Sequence, residues 1–126
     1  VSTPNPGRLA AVDFGARAEQ AVADALIADG WRVLARNWRA AGGEVDLIVV
    51  RDGKLRFVEV KARTEAVMDG ADAITPDKQR RIAMAANAWL DAHVTDATEL
   101  AMLVAVVDVV GGELTIRWID DAFDAR

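Results

Sequence analysis

Cysteine and tyrosine are both missing from the 126 residues, there is a single histidine, His93, and the only serine, Ser2, lies near the N-terminus. Without cysteine there is neither disulfide nor thiolate chemistry, and no His/Cys zinc site can be assembled. One serine and one distant histidine do not make a nucleophilic triad. Phosphate-loop and dinucleotide fingerprints are missing too. The longest apolar run, Leu100 to Val107, has the length of a buried strand and not of a membrane span, and Val1 to Arg8 contain no apolar signal core, so cytosol is the expected compartment. Any enzyme built from this chain must work with carboxylates and lysine, most naturally beside a hard metal ion.

What remains is the composition of one globular domain over residues 1–126, with 52% hydrophobic and 28% charged residues. The net charge of −5 argues against nucleic acid as a partner. Its distribution argues the other way. Residues 31–63 hold eight Lys/Arg against four Asp/Glu, whereas residues 91–126 hold eight acids against two arginines.

Pro4 and Pro6 mark an irregular N-terminal arm over residues 1–7. An alanine-rich helical pattern follows from about Arg8 to Asp29, and Gly30 closes it. Trp31 to Trp38, Glu44 to Arg51 and Lys54 to Arg63 read as strands, and Gly42-Gly43 as a turn. Asp52-Gly53 between two apolar runs is a strong hairpin signal. After a loop at 64–74, Thr75-Pro76 supplies the cap and first-turn proline of a second helix that runs to about His93. Leu100 to Val110 reads as a central strand, Gly111-Gly112 as a turn, and Glu113 to Ile119 as a last strand. A strand meander followed by a helical crossover implies an α/β fold whose mixed β-sheet, in the order α-β-β-β-α-β-β, is flanked by helices.

The hairpin carries the chemistry. Pairing Arg51 with Lys54 sets Asp46 opposite Glu59 and Glu44 opposite Lys61, all four on one face. Directly opposed Cβ atoms stand about 4.5–5.5 Å apart, so two carboxylates there repel unless a cation lies between them. Mg²⁺ suits such a pair, because it binds one or two carboxylates and takes its other ligands from water and phosphate. Lys61 is placed to orient the attacking water or to offset charge on the phosphate. On the first helix, Val12, Ala16, Ala23 and Leu26 form an apolar stripe with Glu19 in its middle, so Glu19 needs a cation as well. Lys78 lines up with Ile82, Ala85, Ala86 and Trp89 in a first helical turn, where a positive charge calls for an anion nearby.

Plainer readings stand beside these. Glu-x-Lys on a strand is usually a solvated ion pair, Glu44 is as well explained by turn chemistry, and Arg36, Arg39 and Arg63 are more often surface than phosphate contacts. The four tryptophans read as packing residues, His93 as a helix C-terminal residue, and Arg80 and Arg81 as the exposed side of the second helix.

Phe14-Gly15 with Glu19, Arg36-Asn37, Gly43-Glu44-Val45-Asp46-Leu47-Ile48, Phe57-Val58-Glu59-Val60-Lys61 and Thr75-Pro76-Asp77-Lys78 resemble the YraN-like family of uncharacterised bacterial proteins. That family is similar to archaeal Holliday junction resolvases, within the restriction-endonuclease-like PD-(D/E)xK superfamily. The resemblance implies a restriction-endonuclease-like sheet and a metal-dependent endonuclease, or a nuclease-like DNA-processing protein, using Mg²⁺ or Mn²⁺. It implies metal ligation by Asp46, Glu59 and Glu19, with Lys61 catalytic. Lys78, Arg36 and Arg63 are then the substrate-binding candidates. DNA, branched DNA included, is expected over RNA, with no membrane partner, and dimeric resolvases imply a homodimer. No proline precedes Asp46, so the literal "PD" is absent. A non-catalytic nucleic-acid-binding module and a protein-interaction domain are the competing expectations.

Overall fold

The computed structural model describes residues 6–63 and 74–121, with side chains described from Phe14 onward. The proposed loop thus lies almost wholly outside the described residues, as do Val1 to Asn5 of the N-terminal arm. Helix α1 spans Pro6–Ala28, beginning two residues before the expected Arg8. It ends in a Schellman turn: Trp31 N–H donates to Leu26 O, Gly30 N–H donates to Ile27 O, and Gly30 takes φ 91°. Strands β1 (Arg32–Ala40), β2 (Gly43–Arg51) and β3 (Lys54–Arg63) form the meander. Helix α2 (Pro76–Ala92) follows, capped by the Thr75 hydroxyl, which accepts from Lys78 N–H. Strands β4 (Glu99–Val110) and β5 (Glu113–Asp120) complete the chain.

The five strands lie in the order β1-β2-β3-β4-β5. All neighbours are antiparallel except β3 and β4, which the α2 crossover makes parallel. Both Asp52 and Gly53 take positive φ (50° and 77°), as the hairpin reading required. The β1–β2 turn is displaced by one residue from the expected Gly42-Gly43. Ala41 and Gly42 occupy it, with φ 55° and 80°, and Gly43 is the first residue of β2, paired with Ala40.

Two cores sandwich the sheet. Ala18, Val22, Ala23 and Leu26 of α1 pack on Leu47, Val49, Val58, Leu103, Ala105 and Val107. Ile82, Ala83, Ala85, Ala86 and Trp89 of α2 pack on Val45, Ile48, Leu55, Phe57 and Met102. The α1 stripe is rotated from its expected line, since Ala18 and Val22 are buried and Ala16 is exposed. Glu19 therefore sits on the shoulder of the buried face, half-buried, and not in its middle.

Strand β2 does not alternate cleanly. Val45 and Leu47 are two residues apart, yet they face opposite cores. The reversal falls at Asp46, which stands beside Asn37 between the pairs Arg36↔Leu47 and Trp38↔Val45. Asn37 has φ 51°, a left-handed backbone that asparagine tolerates better than most residues. Trp38, just beyond it, turns onto the α2 side and donates its indole N–H to Ala85 O at 2.9 Å.

Candidate active site

The β2–β3 ladder has the expected register from Arg51↔Lys54 to Leu47↔Val58, and there it stops. Beyond that point β2 continues with β1 and β3 with β4, so the sheet forks. Asp46 and Glu59 are the next residues on either side of the fork. The Asp46 carboxylate fills the gap by accepting from Val60 N–H at 2.7 Å, taking the place of a ladder hydrogen bond. The Asp46 and Glu59 carboxyls lie within side-chain hydrogen-bonding reach of each other, an interaction that raises Glu59 and lowers Asp46. The two acids therefore touch as expected, though by a side-chain bridge across a fork and not by facing positions in a ladder. The expected pairing of Glu44 with Lys61 does not form. Glu44 instead pairs across the hairpin with Arg39, at 3.6 Å.

Glu59 is buried to 6% exposure, and Lys78 of α2 reaches it, Nζ to Oε1, at 2.7 Å. The anion expected beside Lys78 is thus this carboxylate. Burial pushes the Glu59 carboxyl up to about 7, the neighbouring Asp46 charge adds to the rise, and Lys78 opposes it. Burial also raises Asp46, against the lowering effect of the Val60 N–H. Glu19 is raised by burial and then by the charges of Asp46 and Glu44. Three acids therefore share one electrostatic environment, with Glu44 at its margin.

They line an open cavity of about 730 Å³, together with Arg39, Gly42, Gly43, Val60, Lys78 and Arg81.

 The lining amine is that of Lys78. Gly43 sets one wall. A Cβ there would collide with the backbone carbonyl of Arg81, so only glycine lets α2 lie this close to the hairpin. Gly43, expected in a turn, and Arg39 and Arg81, expected at the surface, are thus all cavity lining that sequence reasoning missed. The displaced alternation at Asn37 is the local signal that could have exposed the fork.

The model of the uncharacterised protein family UPF0102 matches residues 18–111, three quarters of the chain and all of the acids just described. The chain belongs to this family. A UPF0102 protein of Bradyrhizobium sp. (strain ORS 278) is 45% identical over 98% of this chain and 85% of its own length. One from Rhodopseudomonas palustris (strain ATCC BAA-98 / CGA009) is 42% identical over 94% of this chain and 88% of its own, and one from Synechococcus sp. (strain CC9902) is 39% identical over 83% and 89%.

The remaining candidates of this UPF0102 chain are placed differently. Lys61 is half-buried on β3, paired in the ladder with Val106, and by alternation lies on the Glu59 side. It does not line the cavity, where Lys78 provides the amine nearest the acids. Arg36 lies on the α1 side and donates to the Gln20 side chain at 3.2 Å. Arg63 is bound to Asp108 at 2.8 Å, at the far end of β3. Neither arginine lines the cavity.

The donor set of the UPF0102 site suits a hard divalent cation in chemistry: buried carboxylate oxygens held in contact, with an open approach. Among the described residues no three acidic or histidine side chains cluster tightly enough to hold an ion alone. An ion on Asp46 and Glu59 would complete its shell with water and substrate oxygens, the usual habit of Mg²⁺.

Proposed function

We propose that this protein is a Mg²⁺- or Mn²⁺-dependent nuclease, or nuclease-like DNA-processing protein, that acts on DNA, with branched DNA among its substrates. The observation that carries this reading is the buried Asp46–Glu59 contact at the fork of the sheet, with an amine on Glu59. Two carboxylates held together away from water are costly unless something positive is meant to meet them. A divalent ion bound there would polarise a phosphodiester and lower the pKa of an attacking water. Asp46, fixed by the Val60 N–H, is a rigid ligand position, and Glu59 is the second. Glu19, from α1, lines the same cavity and adds negative charge at its margin, where it serves through a bridging water. Lys78 supplies an amine at the cavity to meet phosphate charge, Arg39 and Arg81 flank the opening, and Lys61, outside the cavity but on the Glu59 side of β3, is the further amine for orienting water. The basic segment 31–63 contributes β1 to β3 around the fork, which offsets the acidic net charge where a polyanion would approach.

A cytoplasmic location and a homodimer go with this reading. No helix among the described residues is long and apolar enough to cross a membrane.

The test is incubation of purified protein with labelled duplex, flap and four-way DNA in Mg²⁺ or Mn²⁺. Cleavage should fall by on the order of 100-fold or more in Asp46→Asn. Cleavage by wild type no greater than by that variant, in either metal and on every DNA, would sink catalysis. A second reading, a non-catalytic nucleic-acid-binding module, is favoured by one feature, the missing third close ligand among the described residues. It predicts salt-dependent DNA binding that survives loss of Asp46, Glu59 and Lys61.

A further inference from the structure

The Glu59 carboxylate has only 8% of its side chain exposed, and its one cationic contact among the described residues is Lys78, whose own side chain is 51% exposed. The ammonium lies 2.7 Å from Oε1, on an oxygen that a metal ion would need. A divalent cation and an ammonium cannot share that oxygen at contact distance without strong repulsion. The two partners differ in freedom. Glu59 is confined by its burial, whereas the lysine is a flexible four-carbon stem at the mouth of the cavity. Its backbone stays put, because the Thr75 hydroxyl holds Lys78 N–H at the start of α2. The nearby arginines cannot take its place without breaking other pairs, since Arg39 is engaged by Glu44 and Arg81 by Asp77.

We propose that Lys78 is a displaceable internal counter-ion. It holds Glu59 in the metal-free protein, yields that carboxylate when a divalent cation binds, and is thereby released to contact substrate phosphate. This rests on the metal-site reading and adds an order of events to it: the amine becomes available to DNA only once the ion is in place. The lysine thus links metal occupancy to phosphate binding, a coupling that two fixed residues would not give.

Mn²⁺ binding to wild type, Lys78→Met, Lys78→Arg and Asp46→Asn, measured by calorimetry near neutral pH, tests this without reference to cleavage. Circular dichroism checks that each variant is folded, and Lys78→Gln serves as a second neutral replacement. Both neutral variants are expected to bind Mn²⁺ about five-fold or more tightly than wild type, with Lys78→Arg no tighter than wild type. Ca²⁺ is expected to raise the DNA affinity of wild type, and the neutral variants should lose that gain. Neutral variants that bind Mn²⁺ no better than wild type overturn the proposal. If wild type then binds Mn²⁺ and Asp46→Asn does not, only the lysine proposal has failed. If none of the proteins binds Mn²⁺, the metal-site reading falls with it.

Discussion

At the scale of single residues, Glu59 is the point where stability and chemistry diverge. Its carboxyl is pushed up to about 7 by burial, so near neutral pH the fold already bears part of the cost of an ionised, buried acid. Replacing it by a neutral isostere removes that cost. Glu59→Gln is expected to raise metal-free stability at about pH 8, by on the order of 1–3 kcal/mol, while abolishing cleavage. Chemical denaturation with a cleavage assay on the same samples measures both, and a Glu59→Gln variant less stable than wild type would contradict the assigned cause. Lys61 offers the opposite contrast. It has no side-chain partner among the described residues, so Lys61→Met should leave the melting temperature nearly unchanged. If the amine serves the reaction, kcat should fall by on the order of 100-fold with Mn²⁺ affinity retained.

At the scale of elements, the fork depends on two backbone devices in the β1–β2 hairpin. Gly43 brings the hairpin against α2, and Asn37 carries the kink beside Asp46. Gly43→Ala would drive a methyl group into the Arg81 carbonyl. The expected loss is about 1–3 kcal/mol, with a wider cavity and weaker Mn²⁺ binding, read by denaturation and calorimetry. The adjacent turn gives a control of opposite sign. Ala41 holds φ 55°, a conformation unfavourable for alanine, and nothing lies within 4 Å of a Cβ built on neighbouring Gly42. Ala41→Asn should stabilise the hairpin by about 0.5–1 kcal/mol without touching the site. Equal effects of the two substitutions on metal binding would show that the hairpin does not position the acids.

At the scale of the whole molecule, the coupled acids make stability depend on pH. Glu59 is raised in the folded state from 4.5 to about 7, so the folded protein holds its proton more tightly than the unfolded chain. The stabilisation from that proton is fully present below 4.5 and is lost as pH rises through about 7. The raised carboxyls of Asp46 and Glu19 act in the same direction. Metal-free protein should therefore melt at a falling temperature from about pH 5 to about pH 8, and Mg²⁺ or Mn²⁺ should restore it at the upper end. Calorimetric scans across that range check this. A flat profile in wild type, or one unchanged in Glu59→Gln, would remove the carboxylate pair as its source.

Much of this architecture is legible in one dimension because its signals are local. Asp52-Gly53 demands a left-handed two-residue turn, Thr75-Pro76 opens a helix, and Gly30 closes one, so element order and the register from Arg51↔Lys54 to Leu47↔Val58 follow from residue type alone. With that register, the nearness of Asp46 to Glu59 also follows. The sequence did not reveal how they meet. Strand alternation assumes an unbroken ladder, and the ladder ends one pair short of the acids because β2 and β3 each leave with a different neighbour. The assignment of Lys78 to Glu59, the closure of the cavity by Gly43 and the engagement of Arg63 by Asp108 join residues 19 to 45 positions apart. Such contacts are set by how helix and sheet pack, which no periodicity along the chain encodes.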